Sequence, residues 1–201
     1  MRVITGRFQG RKLKAPPGET TRPILDRVKV AIFDFLGARL AQPGILPPLS
    51  VLDLFCGGGS LGIESLSRGA AYCAFVDSDR AACGCLRANL DHLGIGPEGR
   101  IYHSPVETAV IAPPPNGRFS LIFLDPPYVL SEEQTPRSTI PRVLERLGAD
   151  PAVDSNAIIL WRHAEKCPIP ERLPGGWQVE HRRVWGRMAV SVLVRRPRED
   201  G

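Results

Sequence analysis

Along most of this chain a short apolar run is followed by a turn, and then by a stretch whose apolar positions return every three or four residues. The runs at 51–55, 73–77, 101–103, 121–125 and 157–161 are brief and apolar at successive positions, which predicts strands, most of them buried on both faces. The stretches 61–67, 80–93 and 138–147 have helical spacing and meet Gly69, Gly94 and Gly148, residues suited to ending a helix. Ahead of them Val28, Ile32, Leu36 and Leu40 recur every four residues with Phe33 beside them, so a helix is expected from Asp26 to about Leu40, then a Pro- and Gly-rich linker at 43–48. Residues 1–14 alternate loosely around Gly6 and Gly10 and predict a short basic β-ribbon, while 177–184 and 188–195 predict a closing hairpin.

Strands alternating with helices imply an α/β fold with a doubly wound, mostly parallel sheet, closed here by an antiparallel hairpin. The pattern divides the chain into a basic N-terminal extension, 1–44, and an α/β domain, 45–201. Apolar content of 43% and charged content of 23% suit a globular protein. The amino terminus is basic but lacks an apolar stretch, and no run reaches bilayer length, so a cytoplasmic protein with no membrane partner is expected. The five cysteines are odd in number and stand at no zinc spacing, which argues for reduced thiols and no metal site.

In a doubly wound sheet ligands bind at the carboxyl ends of strands, and Asp53, Asp77 and Asp125 all fall at or near such ends. Gly57, Gly59 and Gly62 fit G-x-G-x-x-G between a strand and a helix, and Asp77 follows Gly57 by twenty residues, the distance of a ribose-binding acid. That much also suits a nicotinamide dinucleotide. However, Asp53 and Phe55 precede the glycines, and a carboxylate there is badly placed beside a pyrophosphate but well placed for an ammonium.

Asp125-Pro126-Pro127-Tyr128 closes the apolar run Leu121-Ile122-Phe123-Leu124. An aryl amine is a poor nucleophile because its lone pair is delocalised into the ring. Acceptors from Asp125 and the Pro126 carbonyl would bind its two hydrogens and free that pair, while Tyr128 stacks on the base. The plainer alternative is a strand ending in an ordinary Pro-Pro turn.

Net charge is +5, but residues 1–30 carry a local +6, residues 160–198 another +6, and residues 31–159 carry −5. An acidic centre between cationic ends suits a polyanion held while one of its groups enters a pocket. Arg7, Arg11 and Lys12 in the ribbon, and Arg182, Arg183 and Arg187 in the hairpin, are the candidate phosphate contacts.

Taken together the motifs resemble the class I S-adenosylmethionine (SAM)-dependent methyltransferases. More narrowly, the chain resembles the RsmD-like bacterial family that methylates N2 of one guanine in 16S rRNA. Residues 1–10, Thr21-Arg22-Pro23 with Asp26-Arg27-Val28, and the stretches 51–62, 75–79 and 119–128 carry the likeness. The tetrapeptide is shared with DNA adenine methyltransferases and other rRNA guanine methyltransferases, so the amino-terminal motif is what points to this family. The resemblance implies a Rossmann-like fold, SAM as cofactor without a metal, and a monomer acting on 16S rRNA or a small-subunit assembly intermediate. It implies that Asp53, Phe55 and the backbone of Gly57, Gly58 and Gly59 meet the methionine end of SAM. Asp77 would take the ribose, Ser78 the adenine, and Ser104 the adenine's edge. Asp125, Pro126, Pro127 and Tyr128 would hold the guanine, and Thr21, Arg22 and Arg27 would close over cofactor or RNA. Two stretches depart from the family pattern: His103-Ser104-Pro105, and Trp161-Arg162-His163 where a Glu is usual. The second is expected to serve RNA stacking. An N6-adenine methyltransferase, a non-catalytic RNA-binding module and a dinucleotide enzyme stay open as alternatives.

Overall fold

β1 (Ser50–Leu54) is buried at every position, as expected of a strand covered on both faces. In the computed structural model, which describes residues 1–16, 25–40, 43–132 and 135–195, it is an interior strand of a seven-stranded sheet. Thr21, Arg22, Pro23 and Arg196 lie outside the described residues. Beside β1 run β2 (Tyr72–Asp77) and β4 (Phe119–Leu124), then β3 (Gly99–His103) and β5 (Val153–Ala164), all parallel. β6 (Trp177–Trp185) and β7 (Met188–Arg195) form the expected hairpin, with β7 pairing antiparallel to β5, so the order is β3-β2-β1-β4-β5-β7-β6.

Alternation along the strands separates two cores. Val51, Phe75, Phe123 and Leu160 face α1 (Asp26–Arg39), α2 (Ser60–Ser67) and α3 (Arg80–Leu93). Leu54, Val76, Leu124 and Trp161 face the other way, where α5 (Thr139–Ala149) packs after the short α4 (Tyr128–Glu132). The direction of winding reverses between β1 and β4, and the crevice at their carboxyl ends is where this architecture holds ligands. No described helix is long and apolar enough to cross a membrane.

The ribbon at 1–14 pairs through Val3 N–H to the Arg11 carbonyl (3.0 Å) and Leu13 N–H to the Met1 carbonyl (2.9 Å). It is fastened to α2 by the buried Glu64, whose carboxylate accepts from the N–H groups of Ile4 (2.8 Å) and Thr5 (3.0 Å) and pairs with Lys29 (3.1 Å) and Arg68 (2.8 Å). Val3, Leu13, Val28, Phe33 and Leu36 thereby join the core under β1.

Two expectations change. α5 does not stop at Gly148 but runs through it, because the turn at Pro174–Gly176 crosses there and a side chain at 148 would collide with the Gly175 backbone. β5 continues past Trp161 to Ala164, since β7 offers partners as far as Met188.

Candidate active site

Where β1 ends, Phe55 adopts φ 58°, the one described non-glycine residue with positive φ, a conformation that costs about 1–3 kcal/mol and gathers at functional sites. The turn that follows is fixed at each step. Cys56 N–H donates to the Val76 carbonyl (3.2 Å), Gly57 N–H to Asp77 Oδ2 (2.8 Å) and Gly62 N–H to Asp53 Oδ2 (2.9 Å). The three patterned glycines do different work. A side chain on Gly59 would run into Leu86, and one on Gly62 into Phe75, whereas nothing lies within 4 Å of the position a Gly57 Cβ would take. Gly57 therefore presents bare backbone to open space, as a cradle for a ligand must.

Asn89 on α3, which sequence reasoning missed, locks this loop from behind. Its side-chain amide donates to the carbonyls of Gly58 (2.9 Å) and Lys14 (3.0 Å) and accepts from Lys14 N–H (2.8 Å). A polar residue on the otherwise apolar face of α3 was the only signal in the sequence.

Asp77 ends β2 with each carboxylate oxygen accepting one backbone N–H, from Gly57 and from Asp79 (2.9 Å), leaving lone pairs towards the crevice. Ser104 N–H donates to the Asp77 carbonyl (3.0 Å), and His103 Nε2 lies 3.1 Å from the Ser78 carbonyl. The residues expected around an adenosine thus meet at the ends of β2 and β3. Across the crevice Asp125 N–H donates to the Leu54 carbonyl (3.2 Å), which sets the Asp125–Tyr128 loop directly beside the glycine loop. Tyr128 opens α4, half-buried, and Pro126 is buried.

Three carboxyls share the crevice, and Asp53 is the one the others act on. Burial pushes Asp53 up to about 8, and Asp125 and Asp77 push it further the same way against the Gly62 hydrogen bond. Burial also raises Asp125, opposed by the guanidinium of Arg162, to which it is ion-paired. The Cys56 thiol, inside the loop, is held well above its ordinary range by burial, so it is no thiolate nucleophile.

The basic candidates separate in space. Arg7 pairs with Glu98 (2.9 Å) ahead of β3, and Arg11 donates to the His92 carbonyl (3.3 Å) at the end of α3, both at the end of the sheet opposite Asp125. Lys12 and Arg27 are both exposed at the surface. Arg182, Arg183 and Arg187 are exposed on the β6–β7 hairpin, and the register runs from Arg162 through Val190 to Arg183, level with Asp125.

The family described as conserved hypothetical protein 95 matches residues 1–194. The chain is 34% identical to YlbH of Bacillus subtilis over 98% of its own length and all of that protein. It is 28% identical to ribosomal RNA small subunit methyltransferase D of Escherichia coli, over 97% of this chain and 90% of that one. The chain belongs to the RsmD-like methyltransferase family. The solved structure of Escherichia coli yhhF superposes with a TM-score of 0.75 at 28% identity, covering 97% of each chain. The fold is thus the Rossmann-like one of class I methyltransferases.

For this RsmD-like chain the expectation that Trp161-Arg162-His163 stacks on RNA is overturned. All three lie inside β5, and the Trp161 indole is fully buried, with Nε1 3.4 Å from Ser131 Oγ. His163 is buried too; a carbonyl can only accept, so its Nδ1–H donates to Ala164 (2.7 Å) and its Nε2 accepts from the Ser191 hydroxyl (2.9 Å). Burial lowers it to about 4, a neutral structural imidazole at ordinary pH.

Proposed function

We propose that this protein transfers a methyl group from SAM to the exocyclic N2 of a guanine in 16S rRNA. The observation that carries the reading is the juxtaposition of the Asp125-Pro126-Pro127-Tyr128 loop with the glycine loop at the β1/β4 switch point, joined by Asp125 N–H to the Leu54 carbonyl. Family membership supports it, as does the name of the Escherichia coli relative.

The residues fit the cofactor. Gly57 offers an uncovered backbone, Asp77 retains acceptor capacity for ribose hydroxyls, Asp53 lies below the loop for the ammonium, and Ser78 and Ser104 border the adenine side. SAM supplies an electrophilic methyl on a sulfonium that departs as a neutral thioether. The protein's part is positional. Asp125 accepts one N–H of the target amine, the Pro126 carbonyl accepts the other, and Tyr128 stacks on the ring. The nitrogen's extra proton leaves to Asp125 or to water.

The test is transfer of labelled methyl from SAM to small subunits and free rRNA lacking the modification, with nucleoside analysis of the product. Label in N2-methylguanosine, lost in Asp125→Ala while SAM affinity stays within about threefold, is the expected result. Label in N6-methyladenosine would overturn the acceptor, and wild-type turnover in Asp125→Ala would overturn the role of the loop.

A further inference from the structure

Asp125 is held on its backbone side by the Leu54 carbonyl and by Pro126, but its carboxylate still has rotatable bonds. An acceptor that must meet a weakly nucleophilic amine along a fixed line needs that freedom removed. Among the described residues the partner of the carboxylate is Arg162, whose Nε donates to Oδ1. Both side chains are mostly buried, at 16% and 10% exposure.

The strand register brings the two residues together. β4 and β5 run in register from Ile122 opposite Ile159 to Leu124 opposite Trp161, so position 125 stands level with 162 on the face shared with Phe123 and Leu160. β7 clamps the far side of Arg162 through Val190, so the guanidinium is carried on a strand paired at both edges. A planar guanidinium fixes a carboxylate by directed N–H bonds, which an ammonium on a flexible stem does less well. Two further acids lie at this end of the sheet, Asp53 on β1 and Asp77 on β2, and Arg162 on β5 is the cation paired with Asp125 among the described residues.

We propose that Arg162 is a positioning residue for methyl transfer, its Nε holding Oδ1 of Asp125 so that Oδ2 is presented to the target amine. The inference rests on the guanine-amine reading above and adds to it a residue outside the catalytic loop.

The experiment compares the wild type with Arg162→Gln and Arg162→Lys in methyl transfer to unmodified small subunits across pH, with SAM affinity and thermal unfolding measured alongside. In Arg162→Gln kcat should fall roughly tenfold to a hundredfold, the range seen when a group that orients a functional ligand is removed. SAM affinity should stay within about twofold. Without the guanidinium Asp125 holds its proton to higher pH, so the acid limb of kcat/KM should move upward, and Arg162→Lys should return it and restore part of kcat. Unchanged or increased kcat in Arg162→Gln would overturn the proposal, since Arg162 would then only occupy the amine's place. Equal losses in both variants with an unmoved acid limb would overturn it too, leaving a purely structural pair. Should Arg162→Gln fail to fold, Arg162→Lys decides: wild-type kcat in that variant excludes the directed Nε contact, and a several-fold loss at an unmoved acid limb supports it. An inactive wild type would bring down the guanine reading together with this one, whereas an active wild type with an indifferent Arg162 brings down this one alone.

Discussion

Asp53 and Asp125 share a crevice and burial raises both, but only Asp125 is ion-paired with a cation. Asp125 has a guanidinium against it, whereas Asp53 has a single backbone N–H and two neighbouring acids, and burial carries it to about 8. At neutral pH the unliganded protein therefore holds a proton on Asp53. The proposed role of Asp53 is to receive the ammonium of SAM as a carboxylate, so binding must release that proton. The sign follows: below about 8 the affinity for SAM rises with pH, by about tenfold per unit where release is complete, and flattens near 8 as the ligand's own amino group begins to deprotonate. Calorimetric titrations with SAM at several pH values should show this slope, together with proton release that scales with buffer ionisation enthalpy. Asp53→Asn should bind more weakly at high pH and lose the slope. A pH-independent affinity in the wild type would mean that the ammonium is met elsewhere.

One step up in scale, the strand–loop–helix unit β1-loop-α2 explains why three glycines of one motif are not equivalent. Gly59 has φ 80° and its missing side chain makes room for Leu86, so Gly59→Ala meets both left-handed strain and overpacking, together roughly 2–4 kcal/mol. Gly57 has φ 54° and open space, so Gly57→Ala should cost only about 1 kcal/mol of stability but intrude where the ligand approaches the backbone. Denaturant midpoints and SAM titrations separate the two. Gly59→Ala is expected to lower the midpoint with affinity preserved in the folded fraction, and Gly57→Ala to lower affinity with the midpoint nearly kept. Much of this unit is legible in the sequence, because the apolar run, the glycine spacing and the acid after β2 are all local signals. What is not legible depends on distant pairing. The length of β5, and with it the burial of Trp161 and the Arg162–Asp125 pair, is decided by β7, which lies more than twenty residues further on. Gly148 reads as a helix stop because nothing nearby announces that Gly175 will cross over it. Asn89 is hidden for the same reason, since its partners Lys14 and Gly58 are 75 and 31 residues away.

At the scale of the whole molecule Arg7 and Arg11 of the ribbon and the arginines of the hairpin come to opposite ends of the sheet. Arg7 is paired with Glu98 and Arg11 is tied to a helix carboxyl end, both remote from the Asp125–Tyr128 loop. Arg182, Arg183 and Arg187 stand on the hairpin beside β5, at the level of Asp125, with Arg183 lying 5.3 Å over the Trp185 ring and Val184 exposed next to it. Under the proposed reading a nucleotide would stack on Tyr128, and the hairpin arginines are the cations level with that loop, so the hairpin, rather than the ribbon, is the expected electrostatic grip. Removing the cation opposite one phosphate reduces the slope of log K against log salt by about 0.7–0.9. Replacing Arg182, Arg183 and Arg187 together by Gln should flatten that slope by about 2 and lower kcat/KM for rRNA, whereas Arg7→Gln with Arg11→Gln should change it by less than about 1. Filter binding of rRNA fragments over a range of salt concentrations reads both slopes directly. A larger effect from the ribbon pair would mean that the RNA wraps the far end of the sheet and reaches Tyr128 from the other side.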